Sequence, residues 1–236
     1  MRFRPIEAAA LAAALSVSLV GCAPSRVAEP SAQSVAVYRR DAEIKDPAKA
    51  LALLKDGHAR YVSGAPLAKD ISQARRSELA KGQKPFAVIL TCSDSRVPPE
   101  VVFDQALGDL FVVRTAGNVV DPVVLGSIEY AVEHLGAPLV VVMGHTSCGA
   151  VKATVEGGEA PGSIGAITKL IAPAVEQAKA EGTRDSAFAE KSADNNVELQ
   201  LAAVGGSKIL EEKVKSQQLE IVGAKYDIES GMVGWF

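Results

Sequence analysis

Phe86-Ala87-Val88-Ile89-Leu90 runs directly into Thr91-Cys92-Ser93-Asp94-Ser95-Arg96 near the middle of this chain. The first five residues are all apolar and include β-branched side chains, a pattern that predicts a buried strand. The next six place a thiol, a carboxylate and a guanidinium just past the end of that strand. Ligands bind at the carboxyl ends of strands in open α/β sheets. We therefore treat Cys92, Asp94 and Arg96 as candidate site residues.

A second stretch repeats this arrangement. The apolar run from Pro138 to Met143 ends in Gly144-His145-Thr146-Ser147-Cys148-Gly149. If the two predicted strands are neighbours, Cys92, His145 and Cys148 converge on one point. Two thiolates and one imidazole are three ligands for a tetrahedral zinc whose fourth position stays open for water, which is the arrangement of a catalytic site. The sequence therefore predicts one zinc ion per chain.

The composition indicates a globular protein with one packed core, because 48% of the 236 residues are hydrophobic. The net charge of −3 provides no general attraction for nucleic acid. Aromatic residues make up 5% of the chain, which leaves few surfaces on which bases could stack. We expect no nucleic-acid partner.

The beginning of the chain looks like a bacterial lipoprotein leader. A basic start, Met1-Arg2-Phe3-Arg4, precedes an apolar run from Ala8 to Val20 that is too short to span a bilayer comfortably. The run ends in Leu19-Val20-Gly21-Cys22, which resembles a lipobox. That resemblance implies cleavage before Cys22, acylation of Cys22, and a membrane-anchored protein on the periplasmic side of the cell envelope. The alternative is a plain secretory signal with a chance cysteine.

Three regions follow from this pattern: a signal peptide over residues 1–21, a flexible tether over 22–45 and a folded domain over 46–236. The tether has few large apolar side chains. Asp46-Pro47 is typical of a helix start, and His58 lies on the apolar stripe of that helix as a core histidine. A short helix is predicted from Ser72 to Lys81.

Strands and helices alternate along the rest of the domain, which favours a parallel α/β sheet. The further expected elements are a strand Leu110–Thr115, a helix from Asp121 to Leu135, a helix opened by Gly149, helices Ile164–Lys179 and Asn195–Lys215, a strand Leu219–Tyr226 and an extended tail from Gly231 to Phe236.

Cys92 and Cys148 also permit a different interpretation. They form an even pair, and an oxidising compartment would allow a structural disulfide between them. Zinc is favoured because polar residues follow both cysteines and because His145, three residues before Cys148, has no purpose in a disulfide.

The segments Cys92-Ser93-Asp94-Ser95-Arg96 and His145-Thr146-Ser147-Cys148-Gly149 together resemble the β-class carbonic anhydrases. The likeness extends over Asp46 to Phe236 and includes Ala50–Tyr61, Arg114–Asn118 and Gly223–Asp227. It implies a mostly parallel sheet in the order 2-1-3-4 with a fifth strand at the edge, flanked by helices. It also implies a homodimer or homotetramer with active sites at the subunit interface.

The resemblance implies reversible hydration of carbon dioxide to bicarbonate and a proton, with zinc held by Cys92, His145 and Cys148. Asp94 is the residue that would orient the reacting water, and Arg96 can hold it ionised through a bidentate pair. Gly149, at a helix start, offers an N–H to bicarbonate. Gln105 is a further substrate donor by resemblance.

Three alternatives remain open at this point: a carbon disulfide or carbonyl sulfide hydrolase on the same fold, a non-catalytic zinc or anion-binding envelope module, and a disulfide-stabilised scaffold. The sequence also departs from its relatives. Family members usually have Asn where His58 and Thr115 stand. A subgroup has a Trp at the position of Ile89 as part of a regulatory bicarbonate site, and Ile89 cannot donate the indole N–H.

Overall fold

The computed structural model describes residues 37–40 and 42–236. Five strands form one sheet: β1 (Ala87–Cys92), β2 (Leu110–Thr115), β3 (Leu139–His145), β4 (Glu220–Tyr226) and β5 (Val233–Trp235). Their order is β2-β1-β3-β4-β5. The first four strands are parallel, and β5 pairs antiparallel with β4 at the edge. This confirms the expected α/β fold, strand order and edge strand.

Helices cover both faces of the sheet. In the described part of the chain they are α1 (Pro47–Val62), α2 (Gln73–Leu79), α3 (Pro99–Val102), α4 (Pro122–Glu133), α5 (Gly149–Glu156), α6 (Ile164–Ala180), α7 (Ser186–Gly205) and α8 (Lys208–Lys215). A 3₁₀ turn covers Ala116–Asn118.

The starts of α1, α2 and α4 follow from capping residues that are visible in the sequence. Asp46 accepts hydrogen bonds from the N–H groups of Ala48 and Lys49. Ser72 and Asp121 cap α2 and α4 in the same way. These side chains satisfy backbone donors that have no partner inside the helix, so the predicted starts of these helices are confirmed.

Strands β1 and β3 lie at the centre of the sheet, and each of their residues is buried. Ala87 and Ile89 pack with Val141 and Met143 in one apolar cluster, which also includes α1 and β5. Residues on the opposite face, Val88, Leu90, Val140 and Val142, pack beneath α4, α7 and α8. Because both faces of these strands are covered by apolar residues, their sequences are continuously apolar and do not alternate with polar residues.

The predicted helix from Asn195 to Lys215 is wrong in its extent. The structure has two helices there, and α7 begins at Ser186. Gly206 is the C-cap of α7, and Ser207 caps α8 by accepting a hydrogen bond from the Leu210 N–H. Helix α3 and the 3₁₀ turn are not among the elements expected from the sequence.

Tyr38, Arg40 and Ile44, which lie in the last part of the predicted tether, pack on the domain. The Tyr38 N–H donates to Ala68 O (2.8 Å), and Asp70 N–H donates to Tyr38 O (3.1 Å). Arg40 Nε donates to Asp109 Oδ1 (2.9 Å), and Ile44 is buried. The domain therefore includes contacts made before residue 46.

Cys22, the predicted signal peptide and residues 22–36 of the predicted tether lie outside the described residues. None of the helices in the described part has the length and apolar character needed to cross a bilayer.

His58 is a core histidine, as expected. Its Nδ1 donates to Val102 O (3.1 Å), and its Nε2 accepts from the Val233 N–H (3.1 Å). Both ring nitrogens are satisfied, so His58 provides no metal ligand.

Candidate metal centre

The sheet brings Cys92, His145 and Cys148 together. Cys92 is the last residue of β1, His145 is the last residue of β3, and Cys148 is the N-cap of α5. Because β1 and β3 are adjacent and parallel, these ends meet at one edge. The ligand atoms of the three residues lie within 4.8 Å of one another. The residues are 5%, 1% and 3% exposed, respectively.

The orientation of His145 fits a metal ligand. Its Nδ1 lies 2.8 Å from Thr146 O. Because a carbonyl oxygen only accepts, Nδ1 carries the proton and Nε2 presents its lone pair. Nε2 is buried and makes no hydrogen bond of ordinary geometry to any described residue. A buried acceptor without a partner is costly, and a metal ion beside the two sulfurs would satisfy it.

The two cysteines are free thiols, so they do not form the disulfide considered as an alternative. A hydrogen bond from Cys148 lowers the pKa of Cys92 to about 4, and the Gly117 N–H acts in the same direction. The hydrogen bond to Cys92, burial and the charge of Cys92 all raise the pKa of Cys148. Two thiolates this close are stable together only with a cation between them, which fits zinc.

The turn after β2 supports Cys92. Gly117 has φ +72°, and its N–H donates to Cys92 Sγ (3.3 Å). A Cβ at this position would lie 2.6 Å from Ile171 Cδ1. The left-handed backbone therefore favours glycine, and a Cβ here would also have to displace the end of the Ile171 side chain.

The loop between His145 and Cys148 is supported by α7. Ser147 has φ +57°, which is rare for a residue other than glycine. Its N–H donates to Glu190 Oε1 (2.8 Å). Lys225 Nζ in turn lies 3.0 Å from Glu190 Oε2 and 2.8 Å from Asp194 Oδ1. We call Glu190, Asp194 and Lys225 the ionic cluster.

Asp94 and Arg96 form the expected bidentate pair beside the ligands. Arg96 Nε and Nη2 donate to Asp94 Oδ1 and Oδ2 at 2.9 and 2.7 Å. The hydrogen bonds from Arg96 hold the pKa of Asp94 well below its usual range. Asp94 Oδ2 also lies 4.0 Å from His145 Nε2. The structure thus places an ionised carboxylate next to the metal-ligating group.

Arg114 supports the metal centre, a role that was not predicted from the sequence. It is paired with Thr91 across the β1–β2 register. Its Nε donates to Cys92 O (3.0 Å), and its Nη2 donates to Asp94 O (2.6 Å). Arg114 therefore fixes the backbone that carries both a ligand and the carboxylate. The signal in the sequence was an arginine in an otherwise apolar strand.

The two predicted substrate-binding residues lie in different surroundings. Gly149 is the first residue of α5, and a Cβ there would meet nothing within 4 Å. Gln105 is buried, and its Nε2 donates to Phe103 O (2.6 Å) and Leu53 O (3.3 Å). The amide group expected to bind substrate is thus used by backbone carbonyls within the chain. Substrate binding by either residue stays a prediction.

Ile89 is fully buried in the apolar core. Ile89, which stands where a subgroup of the family has a Trp, therefore contributes to core packing in this chain.

Comparison with known proteins identifies the family. A family model described as carbonic anhydrase matches residues 87–233. Carbonic anhydrase 2 of Mycobacterium tuberculosis is 43% identical over 191 residues, covering 79% of this chain and 91% of the relative. The carbonic anhydrase of Mycolicibacterium smegmatis is also 43% identical, over 194 residues, covering 80% and 92%.

Solved structures extend the comparison to the fold. The Coccomyxa β-carbonic anhydrase in complex with acetazolamide has a TM-score of 0.64 and 30% identity, covering 68% of this chain and 75% of that one. A tetrameric β-carbonic anhydrase from Sordaria macrospora has a TM-score of 0.65 and 28% identity, covering 68% and 85%. The family match, the 43% identity to these relatives and the similarity to solved β-class structures show that this chain belongs to the carbonic anhydrases, in their β class.

Proposed function

We propose that this chain catalyses the reversible hydration of carbon dioxide to bicarbonate and a proton, with one zinc ion held by Cys92, His145 and Cys148. The observation that carries this proposal is the ionised Asp94–Arg96 pair, 4.0 Å from Nε2 of a buried ligand histidine. A structural zinc site would be closed by a fourth protein ligand. Here three ligand residues form the group, which leaves a fourth position for water. Bound zinc would supply a Lewis acid that lowers the pKa of water towards neutrality.

Asp94 orients the reacting water. Its carboxylate accepts a hydrogen bond from that water and directs the oxygen lone pair towards the carbon atom of carbon dioxide. Because the pKa of Asp94 lies well below its usual range, this carboxylate is a poor carrier of the released proton at neutral pH. Arg96 keeps Asp94 ionised, and Arg114 fixes the main chain on which Asp94 stands.

We assign substrate binding to the N-terminal end of α5. As the first residue of that helix, Gly149 has an N–H without an acceptor inside the helix, and such donors stabilise anionic oxygens. We assign this N–H to bicarbonate. Gln105 would have to release at least one of its backbone acceptors to contribute a second donor.

A stopped-flow assay of carbon dioxide hydration tests the activity. We expect turnover that is lost after treatment with a zinc chelator and restored by added zinc. Hydrogen sulfide release from carbon disulfide or carbonyl sulfide, measured in parallel, tests the alternative hydrolase. Sulfide release without carbon dioxide hydration would overturn the proposal, and zinc-containing protein without either activity would identify a binding module.

We also propose a homodimer or homotetramer. In a single chain the Arg96 side chain is 52% exposed, although it is part of the dyad, so a second copy could complete the walls of the site. The Sordaria macrospora relative is described as tetrameric. Sedimentation equilibrium of the purified protein tests this, and a monomer with full activity would contradict it.

Finally, we propose that the protein is exported and anchored in the cell envelope by lipid on Cys22. The support is the basic, apolar and small-residue pattern that precedes this cysteine. Multiple acyl chains bind membranes far more strongly than one. The Cys22→Ser variant should therefore be absent from washed membranes. Its mass spectrum should also lack the mass of the lipid that Cys22 carries in the wild-type protein. Membrane retention of the processed variant would argue against the anchor.

A further inference from the structure

A continuous chain of hydrogen bonds runs from α7 to the sulfur of Cys92. The Val120 N–H donates to Gln200 Oε1 (2.8 Å), and Gln200 Nε2 donates to Asn196 Oδ1 (3.0 Å). Asn196 Nδ2 donates to Gly117 O (2.9 Å), and the Gly117 N–H donates to Cys92 Sγ (3.3 Å). We call Gln200, Asn196 and Gly117 the amide chain.

The amide chain is inside the protein. Asn196 and Gln200 are 1% and 3% exposed, and their spacing of four residues places them on one face of α7. Val197, between them in sequence, packs so closely on β3 that a Cβ on Gly144 would lie 2.6 Å from its Cγ2. The helix and the strand that ends in His145 are therefore in direct contact, which fixes the distance from α7 to the metal centre.

Buried polar side chains are costly unless they serve a complete network. Here two neutral side-chain amides connect α7 to the carbonyl of Gly117 in the 3₁₀ turn after β2, and the N–H of Gly117 donates to the metal-ligating sulfur of Cys92. A hydrogen bond to a thiolate withdraws electron density from the sulfur and reduces what the sulfur gives to the metal. This matters in a site with two thiolates, since they already cancel the formal charge of zinc.

We propose that Asn196 and Gln200 are positioning residues that hold the Gly117 N–H on Cys92 Sγ and so limit the electron donation of Cys92 to the metal. This inference rests on the part of the proposed function that assigns Cys92 as a ligand, and it does not depend on carbon dioxide being the substrate. Neither residue touches substrate. They act through the backbone of Gly117.

Asn195 provides a matched control. It is also an asparagine of α7 and is 0% exposed. Its Nδ2 donates to Glu181 Oε2 (3.3 Å), outside the amide chain. Asn196→Leu and Asn195→Leu therefore make the same chemical change at adjacent buried positions, and only the first removes the donor to Gly117 O.

The experiment uses the full chain with cobalt(II) in place of zinc, because the sulfur-to-cobalt charge-transfer band reports the electron density on the sulfur. We expect Asn196→Leu to shift this band to longer wavelength, since an electron-richer thiolate is easier to oxidise. Its hydration kcat/KM should fall by about 10-fold or more. Asn195→Leu should leave the band at the wild-type position.

An unshifted band in Asn196→Leu, or equal shifts in both variants, would overturn the proposal. If Asn196→Leu does not fold, the same spectrum is measured for Gln200→Leu, which acts one hydrogen bond farther from the sulfur. A shift of the charge-transfer band to longer wavelength would support the proposal, and an unshifted band would overturn it. Failure of the wild type to hydrate carbon dioxide would refute the proposed function while leaving the cobalt spectra informative.

Discussion

The two sides of the metal centre are held by the same helix in chemically different ways. On the Cys92 side, α7 reaches the turn at Gly117 through the neutral and fully buried amide chain. On the Cys148 side, α7 reaches Ser147 through Glu190, whose charge is balanced by Lys225 in the ionic cluster. The amide chain is closed to solvent, whereas Glu190 and Asp194 are partly exposed.

This difference follows from the cost of desolvation. Neutral amides can be buried completely once every hydrogen bond is made, but a charged pair loses much more when it leaves water. A charged residue near the surface keeps part of its hydration and is sensitive to salt and pH. The amide chain should therefore be constant across solution conditions, and the ionic cluster should respond to them.

The largest effect tests what the two sides share. Cys92→Ala and Cys148→Ala each remove one of three metal ligands, so both variants should lose zinc and hydration activity together. Metal content measured by mass spectrometry and stopped-flow assays check this. Ser95→Ala, in the same loop as Asp94 but not a proposed ligand, is the control. Full zinc occupancy in either cysteine variant would refute the ligand assignment.

The next effect separates binding from chemistry. Asp94→Asn removes the charge that accepts from the reacting water and leaves all three ligands in place. We expect normal zinc content and a hydration rate reduced by about 100-fold or more. Turnover close to the wild-type value would reduce the Asp94–Arg96 pair to a surface contact.

A glycine pair compares the backbone on the two sides. Gly117→Ala places a Cβ at φ +72° and 2.6 Å from Ile171 Cδ1, so the free energy of unfolding should fall by at least about 1–2 kcal/mol. Gly149→Ala meets nothing within 4 Å, and its stability should change by no more than about 0.5 kcal/mol. Urea unfolding measures both, and equal losses would contradict the packing described here.

The ionic cluster should give a smaller effect that depends on salt. Glu190→Ala removes the acceptor of the Ser147 N–H and should cost about 1–2 kcal/mol of unfolding free energy. Glu190→Gln keeps an acceptor and loses only the charge, so it should cost less, and its difference from wild type should shrink at high salt. A salt-independent difference would show that charge is unimportant at this position.

The smallest effect is on pH dependence. Partial burial raises the pKa of Glu190, but the Ser147 N–H and Lys225 outweigh it, so its folded-state pKa lies below the ordinary value. The stability that ionised Glu190 contributes is then fully present above its unfolded pKa of about 4.3 and is lost as pH falls through the lower folded pKa. The difference in unfolding free energy between wild type and Glu190→Gln should therefore diminish on acidification. A difference that grows below that pH would contradict the assignment.

Much of this protein follows from short segments of the chain. Cys92, Asp94 and Arg96 belong to one segment and His145 and Cys148 to another, so their types and spacing already indicate a zinc site. Asp46, Ser72 and Asp121 mark helix starts because capping is a local interaction. The strand order was anticipated through likeness to a family, since local pattern does not specify which strands pair.

The residues that support the metal ligands could be identified only from the tertiary structure. Asn196 lies 79 positions from Gly117, and Glu190 lies 43 from Ser147, so nothing local connects them. The start of α7 was also predicted wrongly from the sequence. Its buried face includes the polar residues Ser192, Asn195, Asn196 and Gln200. Polar residues on a buried face obscure the apolar periodicity by which helices are recognised. Those polar residues are tolerated only because tertiary packing brings partners to them from distant segments. The metal ligands can thus be identified from two local sequence motifs. The residues that orient these ligands come from distant segments and can be identified only from the tertiary structure.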